Sequence, residues 1–253
     1  MLEQEIKASL INYLRRKSNG LFDGVIVNEF VFDNFKRRAD LLIVKNDKLY
    51  SFEIKSEFDD LSRLDGQVAQ YLKYFDKVTI VAASKHIEQV VQSTPSNVAV
   101  LELKSVNNFK VVRRGKLSSR PSKNFLLNLL KIKELKAFAR KFNIDIGNGE
   151  RSSMVANLLS VSNSDIKKYV SSCISSRYKY SSEAFKLLCD ENIVKEDDIR
   201  YLSNSSRRGL CSEYLLESKE VNEDHFLLEM QQLSHSPIFG DVPNCILDLL
   251  KKK

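Results

Sequence analysis

The feature that most constrains this chain is a change in hydrophobic pattern near residue 122. Before it, short apolar or β-branched segments typical of strands are interspersed with amphipathic helical segments. After it, apolar residues recur at helical spacing and the strand pattern stops. A chain of 253 residues has room for one large domain or two ordinary ones. The pattern therefore predicts a mixed α and β region followed by an all-α region.

The first region predicts the element order αβββαβ. Helices are predicted over 5–16 and 59–75, where apolar residues fall on one face. Strands are predicted over 25–32, 39–44, 49–56 and 78–83, followed by two more at 98–103 and 109–112. Residues 45–48, Lys-Asn-Asp-Lys, separate the second and third strands as a hairpin-type turn. This order indicates an α/β or α+β fold.

The formal charge of +7 is informative because it is unevenly placed. Between Lys104 and Lys141, about a dozen basic residues accompany a single acid, Glu134. We interpret residues 116–123 as a basic linker between a first domain, 1–115, and a helical region, 124–253. In the helical region, helices are expected over 124–142, 154–159, 165–173, 183–189, 196–202 and 246–251.

The predicted hairpin brings together three side chains with related chemistry. Glu53 and Lys55 project from the same face of their strand, because strand side chains alternate. The symmetrical turn sets Asp40 directly opposite Glu53, with their Cβ atoms roughly 5 Å apart. Facing carboxylates repel each other unless a cation neutralises them, and Mg²⁺ prefers carboxylate oxygens. The alternative is an exposed Glu–Lys pair with Asp40 at a loop edge.

These residues carry a resemblance to a known family. Asp40, the hairpin, the run Glu53-Ile54-Lys55-Ser56 and a following helix with Gln67 and Tyr71 resemble the PD-(D/E)XK nuclease superfamily. The resemblance covers residues 1 to 115 and points to a little-studied branch found in bacterial chromosomes and mobile elements. Ala39 stands where the family usually has proline. The implied fold is a restriction-endonuclease-like αβββαβ core with a mixed central sheet.

The resemblance implies a metal-dependent phosphodiesterase, expected to be a DNA endonuclease. Its cofactor would be Mg²⁺, with Mn²⁺ as a substitute, and a metal-activated water would attack the phosphodiester bond. Asp40, Glu53 and the backbone carbonyl of Ile54 would ligate the metal. Lys55 would serve the attacking water and the transition state, and Gln67 would steady the site or the DNA backbone from the helix.

Further residues are assigned with alternatives left open. The superfamily often adds a glutamate from its first helix, for which Glu3 is preferred and Glu5 is a candidate, while Glu29 on the first strand is a rival. Arg38 lies opposite the catalytic lysine in the predicted register, which suits a DNA-facing edge or a solvated one. Tyr71 fits the site and core packing equally well.

Residues 128–160 resemble a SAP-like helix-extended-helix module, because two helices flank a short turn that contains Gly147. Such modules commonly bind DNA, although any small helical hairpin can imitate the pattern. The basic side chains expected to contact phosphates are Lys131, Lys133, Lys136, Arg140 and Lys141. A helix whose basic side is merely solvated is the alternative.

Two other function classes remain open. One is a non-catalytic DNA-binding module, and the other is a phage, defence or repair component whose helical region binds a protein partner. A homodimer is compatible with the resemblance, since many such nucleases cut both strands as dimers. The sequence lacks a span of about 18 apolar residues and a signal-peptide pattern, so we expect a cytoplasmic protein without a membrane partner. Four widely spaced cysteines favour reduced thiols.

Overall fold

The computed structural model describes residues 1–17, 20–33, 35–118, 122–147, 149–189 and 193–202. These residues belong to one compact unit, Met1–Ser203. A six-stranded mixed sheet lies at its centre, with the strands side by side in chain order. The predicted α/β class is therefore confirmed. The helix expected over 246–251 lies outside the described residues.

The six strands lie close to their predicted positions. They are β1 Val25–Phe32, β2 Arg37–Lys45, β3 Lys48–Lys55, β4 Lys77–Ala83, β5 Ala99–Ser105 and β6 Asn108–Arg113. β1, β2 and β3 form an antiparallel meander, β3, β4 and β5 run parallel, and β6 returns antiparallel to β5. The parallel neighbours need crossovers, and helices of the chain supply them.

The helices within the sheet region differ more from expectation. They are α1 Glu3–Arg16, α2 Leu64–Tyr74 and α3 Ile87–Ser93. α2 begins five residues later than predicted because Asp59 and Asp60 cap tight turns: their carboxylates accept hydrogen bonds from the backbone N–H groups of Ser56 and Ser62. α3, a short helix between β4 and β5, was not predicted.

The helical region contains α4 Lys123–Leu127, α5 Ile132–Lys141, α6 Arg151–Leu158 and α7 Asn163–Cys189, followed by a 3-10 helix, Glu196–Leu202. The single helix predicted over 124–142 is two helices. Glu134 accepts a hydrogen bond from the backbone N–H of Lys131, which starts α5. Arg151 donates to the carbonyls of Asn128 and Leu130, so the break between the helices is satisfied.

α7 replaces two predicted helices with one of 27 residues. The serines in its middle had indicated a break, because serine competes for backbone hydrogen bonds. Two of them are instead buried against the sheet region: Ser182 accepts a hydrogen bond from the backbone N–H of Ile26, and Ser171 donates to Asp47. These contacts offset the low helix propensity of serine.

Two hydrophobic cores fill the spaces on either side of the sheet. One lies between the sheet and α1, and the end of α7 and the 3-10 helix complete it. The other lies beneath α2 and α3, and continues without interruption into α4, α5, α6 and α7. The division into 1–115, 116–123 and 124–253 stays a prediction, but the described helices after β6 share this second core with the sheet.

Candidate functional site

The hairpin of β2 and β3 has the predicted register. Leu41 pairs with Phe52 and Lys45 pairs with Lys48, as the symmetrical turn requires. The ladder ends one step before Asp40. At that point an Oδ atom of Asp40 accepts a hydrogen bond of 2.6 Å from the backbone N–H of Ile54. The carboxylate of Asp40 therefore takes the place of a backbone acceptor at the end of the ladder.

The same geometry orients the Ile54 carbonyl. In an extended strand, the N–H and C=O groups of one residue point to the same edge. Because the Ile54 N–H points to Asp40, the Ile54 carbonyl is directed toward the same edge of β3. This direction fits the ligand role that the resemblance implies for that carbonyl.

Glu53 is at the centre of a hydrogen-bonded network and is 3% exposed. Its Oε1 accepts hydrogen bonds from the ammonium of Lys55 at 2.8 Å and from the amide nitrogen of Gln67 at 2.7 Å. The amide oxygen of Gln67 also accepts a 3.0 Å hydrogen bond from Lys55. These three residues, predicted to act together, therefore form a closed triangle of contacts between β3 and α2.

Tyr71 belongs to both the site and the core. Its hydroxyl contacts Glu53 Oε2 and lies 2.9 Å from the backbone carbonyl of Arg38. Its ring packs edge-on against Phe32. Burial raises the pKa of Tyr71 far above its usual value, and the charges of Glu53 and Asp40 raise it further. The hydroxyl therefore stays protonated and is available as a donor.

Glu29 extends the line of acids across a third strand. β1 and β2 pair Asn28 with Leu41 and Phe30 with Ala39, so Glu29 stands opposite Asp40. Glu29 has a φ of 55°, in the left-handed region that few residues other than glycine adopt. The row Glu29, Asp40 and Glu53 thus crosses three neighbouring strands.

The left-handed residue coincides with a change in which face the strands bury. Val27 and Leu42 face the core beneath α2, and so do Phe30 and Ala39. Simple alternation would turn Phe30 and Ala39 to the opposite face. The backbones of β1 and β2 are therefore rotated at the position of Glu29 and its partner, which brings acids on the sheet within reach of α1.

α1 supplies both an acidic residue, Glu3, and a basic residue that was not predicted, Lys7. The ammonium of Lys7 is fully buried, contacts Glu29, and lies 2.8 Å from a carboxylate oxygen of Glu3. Carboxylate oxygens of Glu3, Glu29 and Asp40 all lie within 4.8 Å of one another. Glu5, the other candidate on this helix, instead accepts a hydrogen bond from the backbone N–H of Leu2 and caps the helix.

The electrostatics of the site leave negative charge to be neutralised. Burial raises the pKa of Asp40 well above its usual value, and the nearby charge of Glu53 raises it further. The hydrogen bond from Ile54 and the charge of Lys7 lower it, but do not offset these effects. Burial lowers the pKa of Lys7, yet its bonds to Glu29 and Glu3 outweigh burial and the net pKa is raised.

A basic cleft of about 240 Å³ opens beside this network. Its lining residues are Lys36, Arg37, Arg38, Arg63, Gln67 and Tyr71. Because Gln67 and Tyr71 also bond to Glu53, the cleft borders the buried carboxylate. Arg38 also contacts Glu29 through an ion pair. The β2–β3 ladder stops short of Arg38, so the predicted pairing of Arg38 with Lys55 is not part of the hairpin.

The remaining predicted DNA-contacting residues lie on a different element. All five are exposed, and they lie on α5 or at its N-cap. The inner side of this helix buries Leu135, Phe138 and Ala139. These five are Lys131, Lys133, Lys136, Arg140 and Lys141. The lining of the cleft comes from the β1–β2 turn, β2 and the start of α2. The structure thus places two basic surfaces on the chain.

Sequence reasoning assigned no role to Lys7, Lys36 or Arg63, and noted Arg37 only as a residue that precedes the site with Arg38. The signal for Lys7 was its position three and four residues before Leu10 and Ile11, on the apolar stripe of α1. For the cleft, the signal was the basic run Lys36-Arg37-Arg38, which ends two residues before Asp40.

Other residue types give no second site in the part of the chain that is described. His86 bonds through Nε2 to the backbone carbonyl of Ser56. Cys173 and Cys189 are free thiols, and burial raises the pKa of Cys173 to about 11. Among the described residues, no helix has the length and apolar character needed to cross a bilayer.

Comparisons with known proteins give one clear match. The sequence family described as Bacteriophage P4 protein cII matches residues 1–203. "Protein cII" from Enterobacteria phage P4 is 37% identical over 237 residues, covering 88% of this chain and 87% of that protein. A solved structure, a protein of unknown function from Silicibacter pomeroyi, has 19% identity and a TM-score of 0.36, covering 54% of this chain and 86% of that chain. The sequence match to the P4 protein spans the whole candidate site.

Proposed function

The chain belongs to the bacteriophage P4 protein cII family, and we propose that it is a metal-dependent DNA nuclease. The observation that carries this proposal is the convergence of Asp40, Glu53, Lys55 and Gln67 beside a cleft lined by basic side chains. Acidic ligands, a buried ammonium group and a cationic approach are the parts that phosphodiester hydrolysis requires.

The residues present fit a hard divalent cation. Asp40 and Glu53 repel each other, and the raised pKa of Asp40 reports charge that a bound cation would neutralise. Asp40, Glu53 and the carbonyl of Ile54 would hold Mg²⁺, or Mn²⁺ in its place. Glu3 and Glu29 lie close enough to Asp40 to add ligands on the side of α1. Bound there, the ion would lower the pKa of a coordinated water and stabilise charge on the phosphoryl group.

The protein's own residues then have distinct tasks. Lys55 holds a positive charge beside Glu53, where it can orient the attacking water and offset charge that develops on the phosphate. Gln67 fixes Lys55 and Glu53 relative to each other through its two amide contacts. Tyr71 holds the second oxygen of Glu53. The basic residues of the cleft would bind phosphates on either side of the scissile bond.

The element order supports a more specific fold. α1, the β1–β2–β3 meander, α2 and the parallel strand β4 follow the αβββαβ order of the restriction-endonuclease-like core. The acids lie at the end of the central hairpin and the glutamine lies on the helix that follows, as in the PD-(D/E)XK resemblance. We propose this core for the sheet region, with DNA as its partner and the cytoplasm as its place of action.

A cleavage assay tests the proposal. We expect the full chain to cut linear, single-stranded or branched DNA with Mg²⁺ and to be inactive in EDTA. Asp40→Asn, Glu53→Gln and Lys55→Met should each reduce the rate by about 100-fold or more, because each removes a group that acts on the transition state.

The chain offers a matched control. Glu102 and Lys104 on β5 repeat the Glu-x-Lys spacing, with a carboxylate–ammonium distance of 2.6 Å. Glu102→Gln and Lys104→Met remove the same chemical groups away from the cleft, and should leave cleavage unchanged within about twofold. Full activity in Lys55→Met, or cleavage that persists in EDTA, would contradict the proposal. A non-catalytic DNA-binding protein would instead bind DNA in every lane and cut none.

A further inference from the structure

Glu53, one of the acids of the candidate site, lies below the protein surface. Glu53 is 3% exposed, and Lys55 beside it is 8% exposed. The basic cleft that borders them has a volume of about 240 Å³. A phosphodiester must therefore enter a recess of nucleotide size to reach Glu53.

A recess of this size favours a flexible strand over a duplex. Double-stranded DNA is stiff, with a persistence length of about 150 base pairs, and it presents its phosphates on a convex surface. Bringing one of these phosphates to a buried carboxylate requires the duplex to bend or open. A single strand can turn its backbone into the cleft at a lower cost in deformation energy.

The lining of the cleft matches a phosphate backbone. Four of its six lining residues are cationic, and they come from two separate segments, Lys36-Arg37-Arg38 and Arg63. Arg37 also forms an ion pair with Asp33 at 3.6 Å. Cations from two segments that line one cleft can bind the phosphates of a strand that lies in it.

Phe35 directly precedes Lys36, a residue that lines the cleft, and has an unusual conformation. It occupies the turn between β1 and β2 and is 91% exposed. Its φ of 67° lies in the left-handed region, which is strained for a bulky residue. An aromatic ring held in solvent by a strained turn is not explained by packing. Aromatic side chains beside a basic groove are the usual platforms on which unpaired bases stack.

A second exposed phenylalanine shows what sets Phe35 apart. Phe58, in the loop after β3, is 76% exposed. Its neighbours in the chain are Glu57 and Asp59, which repel phosphate, whereas Phe35 is followed by three cationic residues. Phe58 is therefore a matched control for the ring of Phe35 without its basic surroundings.

From the buried Glu53, the basic cleft and the exposed ring, we propose that this site binds single-stranded DNA, with a phosphate between Arg63 and Arg37 and an unpaired base stacked on Phe35. The proposal rests on the proposed function, and names its substrate class: single strands and unpaired segments rather than continuous duplex.

Binding in EDTA tests the proposal without cleavage. A fluorescein-labelled 12-mer should bind the full chain more tightly as a single strand than as a duplex. Phe35→Ala should weaken single-strand binding by about 5- to 150-fold, the factor that corresponds to stacking of one base. Phe58→Ala should change it by less than about twofold. Equal affinity for duplex and single strand, or equal effects of the two alanine variants, would overturn the proposal.

A spectroscopic arm identifies stacking itself. The chain contains no tryptophan, so Phe35→Trp introduces a single reporter and keeps an aromatic platform. We expect single-stranded DNA to quench its fluorescence and to bind with near wild-type affinity, while Phe58→Trp shows no quenching. Unquenched fluorescence of Phe35→Trp would overturn the stacking role. If a single-stranded RNA 12-mer of the same sequence bound more tightly than the DNA 12-mer, the assignment to DNA would be overturned.

The outcomes separate this inference from the proposed function. Cleavage of duplex and single strands at equal rates with Mg²⁺ would support the nuclease activity and overturn the proposed preference for single strands. Quenching of Phe35→Trp fluorescence by single-stranded DNA, with no cleavage in the presence of any divalent metal, would support the binding site and overturn the nuclease proposal.

Discussion

Lys7 and Glu29 join the first helix to the first strand: the fully buried ammonium group of Lys7 contacts a carboxylate oxygen of Glu29. The contact lies where Glu29 adopts its left-handed backbone and where β1 and β2 change the face they bury. Glu3 shares the same ammonium group, and Arg38 binds the other oxygen of Glu29. Lys7 therefore offsets part of the negative charge on the α1 side of the site.

We predict that Lys7→Met destabilises the protein by about 1–3 kcal/mol, because Glu29 loses a buried charged partner and keeps Arg38. Urea unfolding measures the change in the free energy of unfolding. Lys136→Met, on the exposed side of α5, is the control and should stay within about 0.5 kcal/mol of wild type. Equal stability of the two variants would show that the buried contact contributes little.

The raised pKa of Asp40 predicts an unusual pH dependence. An ordinary aspartate has a pKa of about 3.9, so above that pH the unfolded chain has lost a proton that the folded, metal-free chain still holds. The free energy of unfolding should therefore fall as pH rises from about 4 through the raised pKa. Asp40→Asn removes this loss, and thermal unfolding in EDTA across that range should give a flatter profile. Parallel profiles for wild type and variant would contradict the prediction.

Tyr71→Phe should slow DNA cleavage by about tenfold and cost about 1–2 kcal/mol of stability, because Glu53 loses a buried donor. Tyr74→Phe is the matched control, because Tyr74 lies on the same helix as Tyr71. This variant removes a hydroxyl that lies 3.1 Å from a carboxylate oxygen of Asp33. We expect Tyr74→Phe to preserve the single-turnover rate. A similar fall in rate for both variants would mean that the hydroxyl of Tyr71 acts through general packing.

The basic side of α5 predicts a salt-dependent contribution to DNA binding. Replacing Lys136, Arg140 and Lys141 with glutamate should make the negative slope of log K against log salt less steep by about 2 for single-stranded DNA, since each phosphate contact contributes roughly 0.7. Titrations at several salt concentrations measure this slope. As a control, the same charge reversal at Lys85, Lys104 and Lys110, which are also exposed, should leave the slope steeper than in the α5 variant. Identical slopes would remove α5 from the DNA-binding surface.

The sequence predicted those parts of the fold that depend on short-range patterns. The strands followed from apolar and β-branched runs, and the β2–β3 register followed from a symmetrical four-residue turn. That register brought Asp40 to the end of β3 beside Glu53. The resemblance placed Gln67 at the site or at the DNA backbone without naming its partners, and the structure shows that its amide contacts both Glu53 and Lys55.

What escaped prediction depends on long-range contacts. Lys7 is compatible with an exposed lysine until Glu29 is brought to it by a left-handed residue that no sequence rule favours at glutamate. Serines such as Ser182 interrupt a helix in isolation, but here a strand N–H donates to that hydroxyl. Both errors arise because the compensating partner is far away in the chain.

α7 contacts β1, β2 and β3 on one side and α4 on the other. Its Tyr178 packs against Phe30 of the sheet, and its Ile174 is buried in the same core. A chain cut after residue 115 would leave this apolar face of the sheet in water, which favours aggregation. Evolutionary exchange of the sheet and the helical layer as separate modules would break their common core, and we expect the two to be inherited together.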